Sequence, residues 1–245
     1  MTSALVASQS PPRADWPLPL PVDLPAAEQA AAAFLTALGI VLDSAATART
    51  AARMAAAYAE LFTAREFEFT TFPNRESHRD LVIARSVPFT SVCAHHLLPF
   101  VGTAHVGYLP GARILGLSKL ARLVEMFAAR PQVQEEMTQQ IAAWLAGQAA
   151  AVGVGVLITA EHLCMTLRGV RARGATTVTT AWRGVLSDDR HHASASRRRA
   201  QPAVGRHVRI PRADPLTRQD TDTHRPVRLL RTAARSCWAA LRVTM

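Results

Sequence analysis

Cysteine is scarce in this chain: Cys93, Cys164 and Cys237 are the three in 245 residues, too few for a disulfide framework. Lysine is scarcer still, with Lys119 alone among basic side chains that are otherwise arginine. No run of eighteen apolar residues is free of charges or helix breakers, which excludes a spanning helix. No basic-then-apolar leader opens the sequence; MTSALVASQSPPRADWPLPLP is rich in proline instead. These absences point to a soluble, cytoplasmic protein with reduced thiols.

What is present is a composition able to bury a core, 49% hydrophobic and 19% charged, which excludes a disordered polyampholyte. The formal net charge is +10, and its placement is uneven. Residues 1–189 carry 15 basic and 15 acidic side chains, whereas 190–245 carry 13 and 3. The basicity therefore describes a tail and not the domain before it.

Residues 1–22 hold five prolines without helical or strand period and read as a flexible arm. A helix is predicted over 25–38, with Pro25 in its first turn and Gly39 as its stop. Asp43 and Ser44 are candidate caps for a second helix ending near Phe62. LVIARSV (81–87), bounded by Pro88, reads as a strand. VGTAHVGYL (101–109) and RILGL (113–117) flank Pro110-Gly111 as a predicted hairpin. Ser118 is a candidate cap for a helix with an apolar stripe at Leu120, Leu123, Val124 and Phe127, and Pro131 can open another. Strands over 154–165 and 176–186 complete an α+β pattern with a largely antiparallel sheet, following an N-terminal helical pair. The periodicity stops after Asp189; beyond it, only 227–243 can form a short basic amphipathic helix.

The residues able to do chemistry fall into three groups. Cys93-Ala94-His95-His96 places a thiol and an imidazole three positions apart, and Cys164 follows His162 by two. Zinc accepts such a mixture of sulfur and nitrogen, and three protein ligands leave a fourth position for water of pKa about 7. A metal site and incidental small-hydrophobe roles for these cysteines are both compatible with the spacing. Ser118, Lys119 and Arg122 share the start of a predicted helix, where an anion site and a solvated basic face are the alternatives. Gln134 with Glu135 can read the edge of a purine or pterin, or simply favour a helix start.

The motifs SVCAHHLLPFVGTAHVGYLP, RILGLSKLARLVEMFAARPQVQEEMTQQI, AEHLCMTLRGV and GATTVTTAWRGV together resemble the GTP cyclohydrolase I family. The resemblance runs from about residue 25 to Asp189 and is dense from Val87 to Val185. It implies a tunnelling fold, an antiparallel sheet with two helices on one face, over a domain of 23–189. It also implies a homodecamer with active sites between subunits, acting on GTP with Zn²⁺ and no membrane partner. The implied reaction is conversion of GTP and water to formate and 7,8-dihydroneopterin triphosphate, the first step toward folate.

By motif match, Cys93, His96 and Cys164 would hold zinc, and His95 and His162 would handle protons. Ser118, Lys119, Arg122 and Arg168 would hold the triphosphate, while Gln134 and Glu135 would engage the base. Two departures stand out: Ala94 occupies a position that is often Glu, and the tail of 190–245 matches nothing expected of the family. That tail resembles a frameshifted extension, or else a segment binding nucleic acid non-specifically through its arginines.

Overall fold

A computed structural model describes residues 21–65 and 67–187. Most of the Pro-rich arm, and the whole tail of 190–245 with its predicted amphipathic helix, lie outside these residues. The chain divides into two compact units at Arg183. Of the second unit the described residues are 184–187, where the Ser187 N–H donates to the Gly184 carbonyl at 3.0 Å.

Helix α1 (Leu24–Ala37) starts at Asp23, whose carboxylate accepts from the Ala26 N–H at 3.0 Å, with Pro25 in the first turn where no donor is lost. It ends against Gly39 at φ +78°, a left-handed position suited to glycine. Helix α2 (Thr50–Leu61) has no side-chain cap at Arg49. The expected caps Asp43 and Ser44 lie upstream of it, because the Ser44 and Thr47 hydroxyls instead close a separate turn on each other at 2.8 Å. Ala31, Leu35 and Ala51 form a small buried cluster between α1 and α2.

Strands β1 (Thr71–Pro73), β2 (Val82–Cys93), β3 (Pro99–Leu109) and β4 (Arg113–Leu115) precede α3 (Leu117–Ala128). Then follow β5 (Pro131–Gln132), α4 (Gln134–Gln148), β6 (Gly153–His162), the single turn α5 (Leu163–Thr166) and β7 (Thr177–Gly184). Five strands make one sheet in the order β5-β2-β3-β6-β7. The sheet is mixed and not purely antiparallel, because β5 joins β2 in parallel at Val92 and Cys93.

Several local expectations are corrected. Strand β2 continues through Pro88 to Cys93, since β5 meets it only at its last two residues and, among the described residues, no strand lies on the side of the missing N–H. The chain does turn at Pro110-Gly111, yet β4 pairs with β1 and not with β3. Asn74 draws the turn toward β1: its side-chain amide donates to the Gly111 carbonyl at 2.9 Å and its N–H to the Ala112 carbonyl at 3.0 Å. Gly116, not Ser118, occupies the cap of α3, and no side chain bonds there. Pro131 belongs to β5, and α4 begins three residues later. The strand expected to run to 165 stops at His162, where α5 turns Cys164 inward.

One core holds the sheet to α3 and α4. Phe100, Ala104, Val106 and Tyr108 of β3, and Val154, Val156, Ile158 and Ala160 of β6, share one parity and hence one face. Onto that face pack Leu120, Leu123, Val124 and Phe127 of α3 with Met137, Ile141 and Leu145 of α4. Each such side chain contributes about 2 kcal/mol on burial.

The β2–β3 ladder carries a bulge between Ala84 and Val87, with Ser86 at φ +51° donating its N–H to His105 Nδ1 at 3.3 Å. Farther along β3, Gly102 pairs with Ala160, and a Cβ there would fall on the Thr159 carbonyl oxygen. Gly102→Ala should therefore cost about 3 kcal/mol by forcing β3 from β6, measured as a lower denaturant midpoint at unchanged slope.

Candidate metal centre

Cys93 closes β2, and the chain reverses at once. The His96 and Leu97 N–H groups both reach the Cys93 carbonyl, at 3.3 and 2.8 Å, while the Cys93 N–H reaches Leu98 at 2.9 Å. Leu97 completes this turn in the left-handed region at φ +52°. Outside the turn, the Ala94 N–H is tied to the Gln132 carbonyl of β5 at 2.9 Å. Both His95 and His96 project from the turn as exposed side chains, whereas Cys93 is buried.

Strand β3 pairs with β6 so that Phe100 faces His162 in register, which sets Cys164 beside Cys93. The Cys164 thiol donates to Cys93 Sγ at 4.0 Å, across 71 residues of sequence. His95 Nδ1 and His96 Nδ1 lie 3.8 and 3.7 Å from the same Cys93 sulfur. Around a tetrahedral zinc, two sulfurs stand about 3.8 Å apart and a sulfur and nitrogen about 3.6 Å, from bonds of about 2.3 and 2.0 Å. The observed spacings are those of co-ligands, and the soft donor set fits zinc.

The three donors that all lie within 4.8 Å of one another, among the described residues, are those of Cys93, His162 and Cys164. His96, expected as the third ligand, thus approaches Cys93 alone in this state, as does His95.

His162 is held on two sides. Its ring stacks on Phe100 with centroids 4.5 Å apart and planes 6° from parallel, and its Nε2 lies 2.7 Å from Gln134 Oε1. The Gln134 amide nitrogen is committed to the Thr177 carbonyl at 3.0 Å, with Ile158 O and Thr179 Oγ1 also in reach. Gln134 therefore presents oxygen to the ring, so Nε2 carries the proton and Nδ1 keeps the lone pair of the neutral imidazole. Burial lowers the pKa of His162 and the nearby Glu135 carboxylate opposes that shift, so the ring is neutral at pH 7.

Gln134, expected beside Glu135 at the edge of a base, is 1% exposed, and its side-chain oxygen and nitrogen are hydrogen-bonded within the fold. Glu135 is exposed in the first turn of α4.

The basic residues lie on two elements. Ser118, Lys119 and Arg122 occupy the first turns of α3, whose N-terminal amides no side chain caps. Arg168 follows α5, and its charge acts on the Cys164 thiol. Phe100 and Tyr58, which donates its hydroxyl to the Leu97 carbonyl at 2.9 Å, are the site residues that sequence reasoning missed. Phe100 had a signal, falling within VCAHHLLPF; Tyr58 lies on α2 and had none.

Two sulfurs and nearby imidazole nitrogens, gathered in an α+β fold, make a group that could hold a metal ion. A family model described as GTP cyclohydrolase I matches residues 27–200. The GTP cyclohydrolase 1 of Corynebacterium aurimucosum is 48% identical over 163 residues, 64% of this chain and 83% of that one. The enzyme of the same name from Mycobacteroides abscessus is 48% identical over 168 residues, 66% of this chain and 82% of the other. That of Thermobifida fusca is 45% identical over 175 residues, 69% and 84% of the two chains. The chain belongs to the GTP cyclohydrolase I family and is an enzyme of that family.

Burial and the neighbouring Cys93 raise the pKa of the Cys164 thiol, while Arg168 partly offsets them. A raised thiol pKa leaves less thiolate at any given pH. Metal-free protein should therefore alkylate at Cys164 more slowly than a free cysteine at pH 7.5, with its rate rising only at higher pH. Peptide mapping after iodoacetamide labelling checks this, and Cys93→Ser should speed the reaction.

Proposed function

We propose that the protein hydrolyses and rearranges GTP to formate and 7,8-dihydroneopterin triphosphate in a zinc-dependent reaction, as the first step of tetrahydrofolate synthesis in the cytoplasm. The single observation that carries this reading is the 4.0 Å approach of Cys93 and Cys164, with an imidazole nitrogen 3.7 Å from the first, in a chain of this family.

Cys93, His96 and Cys164 would hold the metal, with His96 closing onto it from an exposed position where its Nδ1 is 3.7 Å from Cys93 Sγ. When bound, zinc supplies an electrophilic centre and an acidified water at neutral pH. The protein's own groups do the rest. His162 arrives neutral, its ring fixed by Phe100 and Gln134, and its free Nδ1 accepts a proton as C8 of the guanine is attacked and the imidazole ring opens. His95, solvent-facing on the adjacent turn, relays protons as formate leaves. Glu135 accepts hydrogen bonds from the amino and ring N–H groups of the base. Ser118, Lys119 and Arg122, at an uncapped helix start, and Arg168 hold the triphosphate. Gln134 supports the base site by orienting His162.

The subunit adopts the tunnelling fold, with α1 and α2 as its N-terminal helical pair, and works as a homodecamer with sites between subunits. Supporting the assembly are Leu97, Leu167 and Val170, apolar side chains near the metal centre that are 46%, 65% and 73% exposed in the single chain and call for cover.

Purified protein with zinc should convert GTP to a product that fluoresces as neopterin after oxidation and dephosphorylation; no product from zinc-loaded, assembled protein overturns the reading. Cys164→Ala should lose both zinc and turnover, since two ligands bind too weakly, whereas His162→Ala should keep one zinc per subunit and lose at least a hundredfold in kcat. Metal analysis beside turnover separates the two, and loss of zinc in His162→Ala but not in His96→Ala would exchange the roles of those histidines.

A further inference from the structure

We infer that Tyr58 is a positioning residue for the metal centre: from α2, its hydroxyl holds the Cys93–Leu97 turn closed. The inference rests on the proposed reading for its consequence to metal binding, but not for its geometry. The Tyr58 hydroxyl donates to the Leu97 carbonyl at 2.9 Å across 39 residues of sequence. The tyrosine is half-buried, with its ring 5.7 Å from that of Phe62 one turn on.

The acceptor it meets is the weak point of the turn. Leu97 stands at φ +52°, where a branched side chain is disfavoured, and no backbone donor of the turn reaches its carbonyl. The turn closes instead on the Cys93 and Leu98 carbonyls. If Leu97 relaxed toward negative φ, its peptide plane would rotate, the Leu97-to-Cys93 hydrogen bond would open, and the spacing between Cys93 and His96 would widen. Two tethers from outside oppose this: β5 grips Ala94 through the Gln132 carbonyl, and α2 grips Leu97 through Tyr58. Between them stand His95 and His96, exposed side chains whose ring nitrogens meet Cys93 Sγ. Tyr58 thus offsets a backbone conformation that the C-x-x-H motif needs and that leucine resists. It also makes α2, which carries none of the ligands, part of what sets metal retention.

The test uses the full-length protein in two forms. In the metal-free form, hydrogen exchange of the 93–98 segment should quicken about fivefold in Tyr58→Phe, the effect expected on losing one neutral hydrogen bond, with the β6 segment unchanged. In the zinc-loaded form, release of zinc to a chelating dye should quicken by a similar factor. Adding Leu97→Gly to Tyr58→Phe should return zinc release to within about twofold of the parent, because glycine needs no help at positive φ. Phe62→Leu, which removes the ring contact and keeps the hydroxyl, should leave both rates near those of the parent. Exchange of the 93–98 segment that is equal in parent and Tyr58→Phe overturns the inference. So does a Phe62→Leu effect as large as that of Tyr58→Phe, which would reduce the role to general packing of α2. Failure of the parent itself to take up zinc would instead sink the metal reading and leave the exchange result standing.

Discussion

Everything chemical in this subunit depends on the register of β3 between β2 and β6. Val92 pairs with Pro99, and Phe100 pairs with His162, so the end of β2, the start of β3 and the end of β6 fall together at one end of the strands. That alignment brings thiols 71 residues apart to 4.0 Å and lays the His162 ring flat on Phe100. A slip of one residue would send every side chain of the slipped strand to the other face and scatter the cluster. The large apolar side chains of β3 and β6 share a parity, and burial of that face under α3 and α4 is what makes the slip costly.

The parts of the site that were legible in the sequence are those written in local spacing. A C-x-x-H turn and an H-x-C run put thiols beside imidazoles, although spacing alone left a metal site and a small-hydrophobe role both open, and the apolar stripe of α3 announces its buried face at Leu120, Leu123, Val124 and Phe127. Partnership between distant segments was not legible. Pro110-Gly111 has the residues of a hairpin turn, yet the strand after it answers to β1, because Asn74 supplies the hydrogen bonds that the turn lacks. Pro88 looked like a strand end because the sequence cannot show that its N–H side has no neighbour. Ser118 has the chemistry of a cap but sits one residue inside the helix that starts at Leu117. Gln134 has the chemistry of a base reader, and only the fold reveals that its amide is spent on Thr177 and His162.

The site divides its work between rigid and movable groups. His162 is stacked, hydrogen-bonded and partly buried, so one ring nitrogen is committed and the other left free. His95 and His96 ride on the Cys93–Leu97 turn at the surface, tied at Ala94 and Leu97 and open between them. A proton acceptor benefits from the first arrangement, since its lone pair must be aimed before the reaction begins. A ligand that must close onto an arriving ion benefits from the second.

Pro88 has one more effect, on how the subunit keeps company with others. Among the described residues, strand β2 is paired along its outer margin only at Val92 and Cys93, which leaves the outward-facing hydrogen-bonding groups over most of a twelve-residue strand without a partner strand. An uninterrupted margin of that length would be a template for stray chains to zip onto. A proline near its middle removes one donor from the ladder such an intruder would need, and the kinked bulge at Ser86 spoils the spacing just before it. The same two residues that puncture the strand thus act as its guard against aggregation.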